Sequence, residues 1–208
     1  MVNMQQCLIY RQRGIIRWNI YNFTNILIVD NYNTKIQSAQ QKVTHPQALD
    51  FINTFLLHRD INREYFLLVH EEKYDAHLVN NEKTQSDSPR KNLTHQIDTT
   101  RDYINGLLAG ELYFGRQKEY DDLQKPETLS KDQLINKLDE STLWLIKILQ
   151  QKNIDQIVVK VPWSVKSIPA LQMIWGLNNH EILHTGWNLA YMDFLGIPRF
   201  QKLKAMWG

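Results

Sequence analysis

At 208 residues the chain is long enough for one domain with a real hydrophobic core, or one domain with an extension, and needs no covalent staples. Its 24 basic and 22 acidic side chains leave a net charge of +2 with no dense Lys/Arg tract, which excludes a nucleic-acid footprint built from positive charge on one face. The single cysteine, Cys7, excludes an intramolecular disulfide and suggests a reducing compartment, while the short apolar run Ile26 to Val29 is far below the about 20 residues that span a bilayer.

The N-terminus lacks the basic start, apolar run and small-residue cleavage site of a signal peptide, so a cytoplasmic protein is expected. In residues 1–40, Ile16, Trp18 and Ile20 alternate with polar residues, which predicts an N-terminal extension that is irregular or forms short strands. Residues 41–208 carry the helices. Pro46 marks a helix start and opens a long run to Tyr74 in which Phe51, Phe55, Ile61, Tyr65 and Phe66 fall near helical spacing. The polar stretch from Asn80 to Arg90 is a loop. A second helix is predicted from about Pro89 to Leu108, stopping near Gly110, with Leu93, Ile97, Ile104 and Leu107 as its aliphatic stripe.

After a charged connection, Ser130 and Gln133 form a capping-box pattern that opens a third helix carrying Leu134, Leu138, Leu145 and Leu149 and ending near Asn153. The β-branched segment Ile157 to Val161 suits a short strand or hairpin. The fourth helix is predicted after Ser167, with Pro169 in its first turn and Gly196 and Pro198 ending it. It is apolar nearly all round and therefore central, so its histidines should be largely buried. The fold class expected is all-α, a four-helix bundle with a short strand-like segment between helices three and four.

His180-Glu181-x-x-His184 on that fourth helix carries the chemistry. Two histidines four apart stand one turn above each other, so their imidazoles can share one metal ion, and a third ligand must come from elsewhere. Alone, the motif suggests a zinc metalloprotease with Glu181 as general base. The surrounding residues argue against that: Trp187 and Ala190 stand where a longer protease motif needs Gly and His, and the only later acid, Asp193, is on the same helix. The plainer alternative is a pair of core histidines satisfied by hydrogen bonds. The other histidines, His45, His58, His70 and His77, lack a paired spacing, with His58 and His70 about three turns apart on the predicted first helix.

The fourth helix, read as His180-Glu181-x-x-His184-Thr185-Gly186 and followed by Leu195-Gly196-Ile197-Pro198, together with His95 in Leu93-Thr94-His95-Gln96-Ile97-Asp98, resembles the DinB-like family of DNA-damage-inducible proteins, which shares its fold with metal-dependent thiol transferases. The resemblance spans about residues 47–200. It implies a DinB-like four-helix bundle holding one divalent metal ion, zinc or nickel, through His95, His180 and His184. It also implies a metal-dependent transferase or hydrolase acting on a small molecule, with conjugation of a low-molecular-weight thiol as the favoured chemistry. On a helical projection His95 lies opposite the aliphatic stripe and beside Asp98, Thr99, Asp102 and Tyr103, so these polar residues are expected to line a substrate pocket or to orient the histidines. Trp187 stands where the family has a polar residue and should narrow and dry that pocket. Glu181, about 100° round the helix from His180, is the weak catalytic candidate. The competing expectation is a metal-binding or purely structural bundle without chemistry, paired as a homodimer through its apolar helices.

Overall fold

The computed structural model describes residues 31–114 and 121–207. The chain divides into two compact units, Met1–Ser38 and Ala39–Gly208. Residues 31–40 are helical, which corrects the irregular or strand-like reading of that part of the extension. Tyr32 and Ile36, four apart and both buried, supply the one-turn spacing that the alternation around Trp18 obscured. Residues 1–30, with Ile16, Trp18, Ile20 and Cys7, lie outside the described residues.

The second unit is built on four long helices, α1 (Pro46–Leu68), α2 (Pro89–Ala109), α3 (Lys131–Leu149) and α4 (Ala170–Leu195), followed by a short α5 (Gln201–Trp207). Local chemistry sets their ends. Pro46 occupies the first turn of α1. Ser88 caps α2, its hydroxyl accepting from the Lys91 amide. The Ser130/Gln133 capping box is complete, each side chain bonding the other residue's backbone amide. Gly110 and Gly196 close α2 and α4 in the left-handed region, at φ 75° and 68°. α1 ends at Leu68, earlier than its periodicity implied, so His70 is not on the helix. There the chain turns to bury Tyr74, whose hydroxyl donates to the Phe66 carbonyl at 2.9 Å. Pro169 lies just ahead of α4 rather than inside its first turn.

Helix directions follow from the contacts between them. Phe51 meets Trp175 and Asn62 meets Glu181, so α1 and α4 run the same way. Asn92 bonds Asn188 while Tyr103 lies against Gly176, so α2 runs opposite to α4. Lys131 at the start of α3 reaches the Leu67 and Val69 carbonyls at the end of α1, which makes α3 antiparallel to α1 and parallel to α2. The bundle is therefore up-down-down-up, and the parallel α2–α3 pair requires a long crossover. Arg90 pins that crossover by donating to the Pro126 and Leu129 carbonyls while pairing with Asp75. One core cluster, with Phe66, Leu93, Ile97, Leu134, Leu138 and Met192 among its members, draws on all four helices, and Phe51, Phe55, Ile104, Leu145 and Ile174 are buried outside it.

Between α3 and α4, β1 (Val158–Val159) pairs antiparallel with β2 (Ile168–Pro169), the hairpin that the β-branched segment suggested. The all-α bundle with a strand-like insertion is thus the architecture observed. No helix among the described residues is long and apolar enough to cross a membrane.

Two glycines test this account with opposite signs. Gly110→Ala should lose about 1–2 kcal/mol, because alanine is strained at a positive φ. Gly186→Ala lies in the interior of α4, where an added Cβ would meet nothing within 4 Å, and should gain up to about 1 kcal/mol from helix propensity. Urea denaturation of the two variants reads both.

Candidate metal centre

The antiparallel run of α2 against α4 sets three levels along their seam: Asn92 with Asn188, His95 with His180 and His184, and Tyr103 with Gly176. At the middle level three imidazoles converge. His180 Nε2 lies 3.0 Å from His95 Nε2 and 3.0 Å from His184 Nε2. One ligand atom from each ring lies within 4.8 Å of the others, so the three can hold a metal ion. Nitrogens bound to a single zinc at about 2.0–2.1 Å would sit roughly 2.9–3.4 Å apart for angles between octahedral and tetrahedral. The two spacings to His180 fit that range. His180 Nδ1 is buried without a hydrogen-bond partner among the described residues, so among them no placement of the ring proton satisfies both nitrogens of His180.

The electrostatics favour neutral rings. Burial pushes His184 down to about 3, helped by His180, His95 and Arg59. Burial likewise pushes His180 down to about 4, with His95 and Arg59 adding to it. His95 is lowered by the same desolvation, although it stands at the exposed rim of the seam. A metal therefore meets lone pairs free of protons at neutral pH.

Under the histidines lies a buried polar layer drawn from three helices. Glu181, fully buried, faces α1: Arg59 Nη2 is 2.8 Å from its Oε1 and Asn62 Nδ2 donates to its Oε2 at 2.9 Å. Arg59 is also fully buried and donates from Nη2 to Thr100 Oγ1 on α2 at 2.6 Å. Its Nε and Nη1 have no hydrogen-bond partner among the described residues, but the guanidinium lies 4.9 Å from the centre of the Phe55 ring, a cation–π contact. Asn62 Oδ1 accepts from Thr185 and Asn188, and Asn188 Oδ1 accepts from Asn92, so α1, α4 and α2 are linked through one chain of side chains. Burial pushes the Glu181 carboxyl up, with Arg59 and Asn62 pulling it back.

The remaining sequence candidates fall on the seam or its edge. Thr99 and Asp102 are buried, while Asp98 is half-buried with an Oδ1 that has no partner among the described residues. Desolvation, then the neighbouring Asp102 charge, raises Asp98 to about 6. Trp187 is exposed, with its ring beside Tyr191 at 6.4 Å, on the far side of the histidines from Gly176. Arg59 and Asn62 did not emerge from the sequence. They stand among His58, Asp60, Arg63 and Glu64, so nothing in the pattern separates them from an ordinary polar stretch of helix.

No family model matches the chain, and no curated protein matches it. Among solved structures, it resembles the mycothiol-dependent maleylpyruvate isomerase, with a TM-score of 0.53 at 14% identity. The match covers 66% of this chain and 59% of that one, so it spans less than two thirds of the isomerase and establishes likeness of fold.

Arg59→Met should destabilise the protein by about 3–5 kcal/mol, because it leaves Glu181 charged, buried and unpaired. Combining it with Glu181→Leu should recover most of that loss in chemical denaturation.

The histidines set a second expectation. In the metal-free protein, His180 and His184 stay neutral while the unfolded chain protonates them below the ordinary value of 6.5. The unfolded state thus binds more protons, and stability should fall as pH drops from 6.5 towards about 4. The raised carboxyl of Asp98 acts in the opposite direction. Urea midpoints across that window should show a clear loss in the wild type and a much flatter profile in the His180→Ala/His184→Ala variant.

Proposed function

We propose that His95, His180 and His184 hold one divalent metal ion, zinc or nickel, and that the protein uses it to transfer a small thiol to an electrophile or to hydrolyse a small molecule. The observation that carries this reading is the convergence of three neutral imidazoles, with ligand atoms within 4.8 Å, at a seam where one of them is exposed. Three protein ligands leave a coordination position for a reactant, whereas structural zinc sites are usually closed by four. A divalent ion held by neutral ligands keeps its full charge and lowers the pKa of a thiol or water bound beside it.

The fold neighbour is named for its dependence on mycothiol, which favours a low-molecular-weight thiol as the small-molecule partner here. In this reading Asp98, raised to about 6, holds the proton that the thiol gives up. Thr99 and Asp102 shape the adjoining wall. Glu181 has a structural part, because its carboxylate is committed to Arg59 and Asn62, and a protease base would need it free beside the metal.

Elemental analysis after zinc loading tests the ligand set. The wild type should carry one equivalent per chain, and His95→Ala should bind zinc at least tenfold more weakly. The loaded wild type should also consume glutathione with 1-chloro-2,4-dinitrobenzene in a saturable, zinc-dependent way. Equal zinc in both proteins would defeat the three-histidine site, and no consumption above the buffer rate with either metal would defeat the transfer chemistry.

A further inference from the structure

We propose that Asn62 on α1 is the positioning residue of the histidine cluster, holding the turn of α4 between His180 and His184 in the shape that lets both reach one metal ion. This role rests on the three-histidine site above, whereas the hydrogen bonds that make the clamp do not depend on a metal.

Asn62 is fully buried and directs every hydrogen-bonding position of its side chain at α4. Nδ2 donates to the Glu181 carbonyl at 3.0 Å and to Glu181 Oε2 at 2.9 Å. Oδ1 accepts from Thr185 Oγ1 at 3.1 Å and from Asn188 Nδ2 at 3.0 Å. A side-chain amide has two donor hydrogens and two acceptor lone pairs, so the set is complete. Residues 181, 185 and 188 follow one face of α4 over two turns and bracket His184. The direction of the amide is fixed as well. An ionised carboxylate only accepts, so the nitrogen of Asn62 must face Glu181 and its oxygen must face Thr185 and Asn188. Asn188 in turn presents its oxygen to Asn92 on α2 at 2.9 Å, three residues before His95. Both helices that carry histidines are therefore tied to α1 within about one turn of them.

The Thr185 hydroxyl gives the clamp its effect on geometry. It has one proton and two acceptors in reach, Asn62 Oδ1 at 3.1 Å and the Glu181 carbonyl one turn back at 3.0 Å. A threonine hydroxyl bonded to the carbonyl four residues earlier often bends its helix. Asn62 opposes that bond twice, by accepting the proton on Oδ1 and by donating to the Glu181 carbonyl itself. Thr185 is buried, so solvent does not take over the proton if Asn62 is lost. The turn concerned runs from His180 to His184, and a bend there changes the spacing of their Nε2 atoms, which stands at 3.0 Å. Leucine at position 62 would keep a similar volume and leave the hydroxyl with the carbonyl alone.

Cobalt(II) titration of the full chain, read by visible absorption and by competition with zinc, tests the role. The wild type should bind one cobalt per chain. Asn62→Leu should bind it about tenfold more weakly and with shifted visible bands, as expected when the support of a ligand is removed. Adding Thr185→Val, which deletes the hydroxyl that would turn to the carbonyl, should recover most of the affinity and the wild-type bands. A clamp that only added stability would give the opposite sign, the second loss adding to the first. Asn62→Ser, whose hydroxyl can still serve the carboxylate, should show the same pair of signs and carries the test if leucine does not fold. Leu134→Ala, in the core on α3, which supplies no ligand, should lower the urea midpoint while leaving affinity and bands unchanged. Wild-type affinity and bands in the Asn62 variants, a further loss on adding Thr185→Val, or the same shift in Leu134→Ala would overturn the positioning role and leave the three-histidine site standing. A wild type that binds no cobalt would remove the site itself, and the role of Asn62 with it.

Discussion

The ion pair between Arg59 and Glu181 is the constraint on which the rest of the arrangement depends. Both side chains have no exposure, and removing two such charges from water costs several kcal/mol each before their attraction is counted. The cost is offset because Asn62, Thr100 and the face of Phe55 supply further contacts, and the pair itself joins α1 to α4. Glu181 lies between the two histidines of α4 in sequence. Successive residues on a helix diverge by about 100°, so one rotation of α4 sets both directions at once. When Glu181 meets Arg59 on α1, His180 and His184 meet His95 on α2. A buried polar layer of this kind specifies register more than it adds stability, since an apolar layer would tolerate small rotations that this one does not.

The order of the helices decides what else can reach the seam. With α2 and α3 parallel, the chain must cross the end of the bundle between them, and it leaves α2 at Gly110 in the left-handed conformation. That turn lays residues 110–112 beside β1. The same crossover is pinned by Arg90 at its other end, so the segment that carries Phe114 starts from a fixed backbone and returns to one. Topology thereby brings Phe114 from a connection against Tyr103, whose hydroxyl packs at Gly176, one turn before His180.

The features legible in the sequence were those that a few adjacent residues determine. Pro46, the Ser130/Gln133 box and Gly196 act within one turn and mark the helix ends where they stand. The spacing of His180 and His184 is likewise a property of any helix, whatever surrounds it. The burial of Thr99 and Asp102 was not legible in this way. Helical periodicity distinguishes an apolar stripe from a polar one, but a polar stripe facing another helix across a seam has the same pattern as one facing water. That pattern puts His95 on an exposed face, and it is exposed, yet it also meets two further imidazoles, which only the antiparallel pairing with α4 could reveal. The early end of α1 depends on burying Tyr74, a contact made after the helix has stopped.

Charge accounting joins the two ends of the seam. The three imidazoles are neutral, and the Arg59 cation directly beneath them is matched by Glu181, so the ligand cluster contributes almost no net charge of its own. An ion held by these three rings would therefore keep its full charge. One turn beyond His95 the arrangement differs, because burial and then the Asp102 charge hold the Asp98 carboxyl up at about 6. Two routes to neutrality thus meet at the α2–α4 seam: imidazoles kept uncharged by burial beside a matched ion pair, and a carboxyl held towards its protonated form by burial and a like charge.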